Sequence, residues 1–314
     1  MVRWLLLPLL AALSFLINAY APYRGHFGEP PHPWAWGTVV AAILLGLALA
    51  ALLRRVLPRN QMPLGLYADI ASVALGAMLA YELSTNRLGL LVSPIFPSLN
   101  MVFYAFVEDF GLLIVDCTAS SLQLAMTGFF GGLLAAIPLG ILLGWSKYLM
   151  RVMNPFVRIV NAVPVPAWIP VLIVGLPTLF LSMSALLFIG TFFPVLNATV
   201  FGIRGVDRRF VEAGEMLGAR RWQIMLRIAI PSALPNIFAG ILSAWIIMFM
   251  LLIIAEMIGA SSGIGWYLTF VRGWGEYNKV IAAMLWSGLL GLAGFEAIRR
   301  VEGRLLRWRV GLLR

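Results

Sequence analysis

A chain of 314 residues that is 61% hydrophobic and 11% charged, with a mean hydropathy of +0.94, lies far outside the soluble globular range of roughly 45–50% apolar and 25% charged residues. It reads as an all-α integral membrane protein. The net charge of +10 falls in short clusters between apolar runs, which excludes a nucleic-acid partner and leaves the positive-inside bias as its cause. One cysteine, Cys117, excludes an internal disulfide, and two histidines, His26 and His32 in one Pro-rich loop, supply no metal site. No cofactor motif is present.

A bilayer span needs about 20 mostly apolar residues. Eight candidates follow in chain order: 4–21, 35–53, 64–84, 122–145, 165–180, 182–203, 234–258 and 279–298. The first, with Arg3 before it and Ala19-Tyr20-Ala21 after it, also fits a cleavable signal peptide. Its apolar run is long for that, and a polytopic chain does not need such cleavage. Between the third and fourth candidates, residues 85–121 carry Glu108, Asp109 and Asp116 in a mixed pattern that predicts an interfacial helix and not a ninth span.

If residues 204–233 are inside, alternation puts both termini and the loops near 54–63 and 146–164 on the cytoplasmic side. The bases agree. Arg3, Arg54, Arg55, Arg59, Lys147, Arg151, Arg158, Arg204, Arg208, Arg209, Arg220, Arg221, Arg227 and the Arg299–Arg314 cluster fall inside, and only Arg24, Arg87, Arg272 and Lys279 fall outside.

In the fourth candidate Gly128, Gly132, Ala136, Gly140 and Gly144 recur every fourth position, a smooth stripe suited to close helix packing, with a gate as the functional alternative. Two ionisable residues sit within spans, where charge is expensive. Asp69 snorkels or pairs with Arg59, and Glu256 meets either the free N–H groups of the Gly259–Gly263 loop or a ligand. Asn161, Ser184, Thr191 and Asn197 either line a polar path with Glu256 or join helices.

Between the sixth and seventh candidates the charge pattern changes. Glu212-Ala213-Gly214-Glu215-Met216-Leu217-Gly218 predicts a short amphipathic helix too brief to stand alone in water. Gly218 sits where a left-handed residue would end it. Trp222, Ile224, Met225 and Ile228 predict a second helix lying on the membrane face, with Pro231 opening the next span.

The spacing Glu212-Ala213 to Gly218 to Ile228 to Pro231 resembles the coupling motif of bacterial ABC importer permeases, with Gly214 in place of a second Ala and Ile230 in place of Leu. Phe96-Pro97-Ser98, Val163-Pro164-Val165-Pro166-Ala167-Trp168-Ile169-Pro170, Gly190-Thr191-Phe192-Phe193-Pro194, Gly202-Ile203-Arg204, Pro231-Ser232-Ala233-Leu234-Pro235 and Ala255-Glu256-Met257-Ile258-Gly259-Ala260 extend the resemblance. They narrow it to the nitrate/sulfonate/taurine/bicarbonate branch.

The resemblance implies a type I importer transmembrane fold over residues 64–309, preceded by two extra N-terminal helices in 1–63 and followed by a cytoplasmic tail, 310–314. It implies docking of an ATPase subunit on 204–233 through Arg209, Glu212, Ala213, Gly214, Gly218, Ile228 and Pro231, and delivery of the solute by an external binding protein. It places the chain in the bacterial inner membrane, both termini cytoplasmic. One coupling segment and no internal repeat imply a second copy or a close relative in the working pore. No phosphate-binding loop occurs, so hydrolysis belongs to the partner.

The cargo expected is a small solute of the nitrate, sulfonate, taurine or bicarbonate kind, or alternatively a neutral or heterocyclic nutrient such as a vitamin precursor. Val171-Leu172-Ile173-Val174-Gly175 departs from the branch pattern, and Leu124 and Ile241-Leu242-Ser243 stand near positions where relatives carry Arg, which predicts a less cationic path. Two rivals are an ion-gradient transporter, which would show paired charges in two related halves, and a membrane scaffold that recruits an ATPase without transport.

Overall fold

The structure, a computed structural model, describes residues 94–306 continuously, with some positions between 73 and 91. The first two expected spans, much of the third, Asp69 and the tail 310–314 lie outside the described residues. Those described form helices and turns without a strand.

The chain divides into two compact units, residues 1–114 with 270–284 and residues 115–269 with 285–314. In the first, α1 (Leu99–Glu108) starts where the Ser98 side chain accepts the Met101 N–H and a Glu82 carboxylate oxygen accepts the Leu99 N–H at 3.2 Å, satisfying two of the donors left open at a helix start. Val102 and Ala105 pack against Ala282. Lys279 Nζ lies 3.2 Å from carboxylate oxygens of Glu108, Asp109 and Glu276.

The second unit is built on one parallel pair. A π-helical stretch (Phe110–Cys117) runs into α2 (Thr118–Trp145). The interfacial segment expected over 85–121 therefore splits: among its described residues α1 is a separate short helix, and the rod that holds the fourth span begins at Phe110, upstream of the expected residue 122. Against α2 lies α5 (Leu179–Arg204). A Cβ on Gly128 would fall on that of Leu187, one on Gly132 would lie 2.7 Å from Thr191 Cβ, one on Gly140 2.6 Å from Thr199 Cβ, and one on Gly144 2.7 Å from Ile203 Cβ. The register is constant, so the two helices run in the same direction. Each missing methyl lets the backbones approach closely, and the stripe is a packing seam.

Parallel neighbours oblige the intervening chain to travel back. It does so in pieces. Amphipathic α3 (Lys147–Ala162) buries no residue. It is bent by 90° from Val165–Gly175, which comprises a 3₁₀ turn (Val165–Trp168) and α4 (Ile169–Gly175). Pro164, Pro166 and Pro170 withhold the N–H groups that a continuous helix would need. The fifth expected span, 165–180, is thus corrected to a broken segment whose helix stops at Gly175. Ser182 Oγ donates to Leu172 O at 3.0 Å and holds α4 to the start of α5.

A long rod, Arg221–Gly259, contains α7 (Arg221–Ile224), a π turn (Met225–Ala229) and α8 (Ile230–Gly259). It runs antiparallel to α5, with Gly202 against Ala233, Gly240 against Ala198 and Gly190 against Leu251. The turn after it leads to α9 (Ile264–Gly273) and α10 (Tyr277–Leu305). Trp245 Nε1 donates to Gly291 O at 2.8 Å and its ring covers Gly294, so α10 runs antiparallel to α8. Phe129 meets Trp245 edge-on with centroids 5.2 Å apart.

Among the described residues four helices are long and apolar enough to cross a membrane, or five if the bent pair counts as one. Helix direction puts the ends of α2, α5 and α10 and the start of the α8 rod at one end of the unit. Lys147, Arg204, Arg208, Arg221, Arg227, Arg299 and Arg300 therefore gather there.

Candidate coupling segment and polar cavity

At that basic end the chain turns through α6 (Arg208–Met216). Asp207 starts it by accepting the Arg209 N–H at 2.9 Å. Its only buried residue is Gly214, where a Cβ would lie 3.0 Å from Ile228 Cδ1 and 3.4 Å from Ile224 Cγ1. That glycine is the seat of α6 on the rod. The helix closes with Gly218 N–H donating to Glu215 O and Ala219 N–H to Gly214 O, both at 3.0 Å, around Gly218 at φ 75°. These paired bonds form a Schellman end, and the left-handed glycine expected from the sequence is present.

Arg220 N–H then donates to Gln223 Oε1 at 2.7 Å and starts α7. The separate membrane-lying helix expected over Trp222–Ile228 is corrected here: these residues are the first turns of the rod that continues as α8. Pro231 has no N–H for the carbonyl of Arg227, and the π turn absorbs that gap without ending the helix.

Burial divides the segment sharply. Ile224 and Ala229 are buried with Gly214, whereas Met216 and Leu217 are each 88% exposed and Phe210 and Trp222 are more than half exposed. Arg209, Glu212, Ala213 and Glu215 are exposed beside them. Apolar side chains held out by a helix this short form a surface that water alone does not favour.

The candidate path residues separate into three places. Asn161 and Asn197 come together on a cavity of about 210 Å³ between the end of α3, the 3₁₀ turn, the middle of α5 and Ile247 of α8. Trp168 lines it too, and its indole Nε1 is buried without a hydrogen-bond partner. Sequence reading passed over Trp168 as one residue of a Pro-rich run. A lone tryptophan among prolines was the available signal.

Thr191 points instead into the α2–α5 seam at Gly132, with its hydroxyl buried and unpartnered. Ser184 sits 3.3 Å from Thr127 across the exposed edge of the same pair. Glu256, buried near the end of α8, accepts Ser121 Oγ–H at 2.6 Å and Gly265 N–H at 2.8 Å, while Ser121 Oγ accepts Ile264 N–H at 2.9 Å. Its carboxylate fills the space a Cβ on Gly263 would need. The geometry makes Glu256 a clamp on the α8–α9 turn.

Helical rods around a glycine seam, four of them long and apolar enough to cross a membrane, with an exposed amphipathic turn at the basic end, define the class of a multi-span membrane protein. Residues 136–307 match the family described as binding-protein-dependent transport system inner membrane component, and the chain belongs to that family. A protein of Methanocaldococcus jannaschii named as an ABC transporter permease is 30% identical over 221 residues, 68% of this chain and 83% of its own length. A Bacillus subtilis protein named as an aliphatic sulfonates transport permease is 33% identical over 189 residues, 60% of this chain and 68% of its own. Others, 26–28% identical, are named as permeases for nitrate, formylaminopyrimidine and taurine. A chain of the MetNI methionine ABC transporter in an inward-facing conformation shares the fold, with a TM-score of 0.51 at 20% identity over 63% of this chain and 98% of that one.

Proposed function

We propose that this chain is the pore-forming permease subunit of an ATP-driven importer, that its core is residues 64–309, and that α6 with the following turn is where an ABC ATPase docks. One observation carries the reading: the exposed helix α6 is tied by the Gly218 turn and the Gly214 seat to a rod that is continuous with a membrane-crossing helix. A push on Met216, Leu217 and Glu212 reaches the membrane interior through packed helices, which is the mechanical requirement for converting a cytoplasmic reaction into movement of a pore.

Within this reading Arg209 and Glu212 supply charge to the contact, Ala213 and Gly214 keep α6 slim, Ile228 is its floor, and Pro231 marks the entry of the rod into the bilayer. The basic end is cytoplasmic by the positive-inside rule, with both termini on that side, in a bacterial inner membrane. An external binding protein delivers the solute on the opposite side. Helix α10 has only 11% of its apolar window buried, and α3 and α4 bury no residue. These faces are suited to lipid and to a second copy of the chain, the arrangement that supplies two ATPase contacts. The relatives are named for cargo of unlike chemistry, so the solute is set by the residues of the path.

The test is Glu212→Arg in the whole transporter reconstituted in proteoliposomes. The spans remain folded, ATPase co-purification falls, and uptake falls with it, since a charge on an exposed docking face is reversed without disturbing packing. Normal co-purification with normal solute-stimulated hydrolysis would remove Glu212 from the contact. Hydrolysis without any uptake in the parent would favour a scaffold, and uptake driven by an ion gradient without ATP would favour a secondary transporter.

A further inference from the structure

We propose that the cavity of Asn161, Trp168, Phe193 and Asn197 is a binding station for an uncharged, single-ring planar solute that both donates and accepts hydrogen bonds, an amide-bearing or nitrogen-heterocyclic compound. The proposal rests on the reading of the chain as a permease and names the class of its cargo.

The polar groups on the wall are few and of defined kind. Trp168 Nε1–H is a donor only, and it is buried without a partner. Leaving such a group unpaired in an apolar setting is unfavourable. An acceptor atom of a guest relieves it. Asn161 and Asn197 each offer a carbonyl acceptor and two N–H donors. Gly190 also lines the cavity. Four residues on, Pro194 has no N–H to give the Gly190 carbonyl, which leaves a backbone acceptor at mid-helix. Trp168 and Phe193 add aromatic surface to these groups.

Among the described residues, none that lines the cavity is ionisable. A sulfonate or nitrate held here would meet no cation among the described lining residues, and it would also face acceptors. A neutral guest carrying both donors and acceptors matches the wall on each count. A cavity of about 210 Å³ is smaller than the roughly 300–1,000 Å³ that holds drug-sized ligands, which suits a guest of about one ring. The location suits transit, because the cavity lies beside the middle of α5 and against the break between α3 and α4, where the backbone is already interrupted.

The experiment is equilibrium binding of tritiated nicotinamide to the permease assembled with its ATPase in nanodiscs. Competition is by nicotinate, the same ring carrying a carboxylate, and by taurine. Saturable nicotinamide binding is expected, with nicotinate at least tenfold weaker. Trp168→Phe and Asn197→Leu each weaken nicotinamide by about threefold to tenfold, the loss of one neutral hydrogen bond. Asn197→Lys, at an exposed position that accepts a longer side chain, reverses the order of nicotinamide and nicotinate. Absence of saturable nicotinamide binding overturns the proposal. So does equal competition by nicotinate or taurine, or indifference to all three substitutions. In each of those cases ATPase assembly that depends on Glu212 leaves the permease reading standing, whereas failure of the parent chain to assemble with an ATPase overturns that reading itself.

Discussion

Gly214 on α6 faces Ile228 on the rod so closely that a methyl group at position 214 would lie 3.0 Å from Ile228 Cδ1. This contact sets the angle at which the exposed helix leaves the membrane rod. Gly214→Ala is expected to be mild, because Ile228 Cδ1 is the far end of a flexible side chain. Gly214→Val is expected to cost about 1–3 kcal/mol of local packing and to lift α6 from its seat. Gel filtration reports intact spans for both variants, and ATPase co-purification falls only for Val. Equal co-purification for both would show that the seat does not govern docking.

Gly218 presents the opposite case. It has φ 75° and nothing within 4 Å of where a Cβ would stand. A substitution there meets conformational strain and no steric contact. A β-branched residue is worst suited to the left-handed region, at about 1–2 kcal/mol, and Asn tolerates it better. Gly218→Val should permit assembly yet separate ATP hydrolysis from uptake in proteoliposomes, and Gly218→Asn should transport nearly as the parent does. Parental transport by both variants would mean that the turn transmits nothing.

The α2–α5 seam gives a prediction about rescue. A Cβ on Gly140 would stand 2.6 Å from Thr199 Cβ and 2.8 Å from Thr199 Cγ2. Gly140→Ala should lower thermal stability of the detergent-solubilised protein. Adding Thr199→Ala should restore little, since the Cβ stays in place, whereas Thr199→Gly should restore most of it. Stability restored equally by both second substitutions would mean that the helices do not meet at this register.

Glu256 accepts hydrogen bonds from Ser121 and from the Gly265 backbone. Glu256→Gln keeps an oxygen for Gly265 N–H and an amide that can donate to Ser121 Oγ, so stability and uptake should both remain near the parent. Glu256→Ala leaves Gly265 N–H buried and unpaired, at about 1–3 kcal/mol. A Gln variant that folds normally but does not transport would make Glu256 part of the path.

Sidedness is open to direct labelling. A cysteine at residue 57 should resist an impermeant thiol reagent in intact cells, and one replacing Glu108, whose side chain is 44% exposed, should react. The native Cys117 is buried, so it adds little background. Reaction at residue 57 would invert the orientation.

The glycine-terminated amphipathic helix was legible in the sequence because its signals are local: a charged stripe and a glycine at its end. The small-residue stripe was legible for the same reason. Span boundaries were less so. Apolar runs continue past the bilayer-sized window at Phe110, and Trp222–Ile228 carry an amphipathic pattern that serves equally for a helix on a surface or for the first turns of a crossing rod. The Pro-rich stretch 164–170 is apolar enough to read as a span, yet its missing N–H groups break it.

By itself the sequence determined that this protein lives in a membrane, that its bases favour one side, and that a short amphipathic helix ends at Gly218, since composition and short-range spacing dictate each. Only the tertiary structure decided that α2 and α5 run parallel, so that the chain between them must return in broken pieces. The same return brings Asn161 on α3, Trp168 on the 3₁₀ turn and Asn197 on α5 to one cavity. Residues that far apart in sequence become neighbours through helix packing, which depends on the register of side chains across two helices and leaves no mark in the spacing along one.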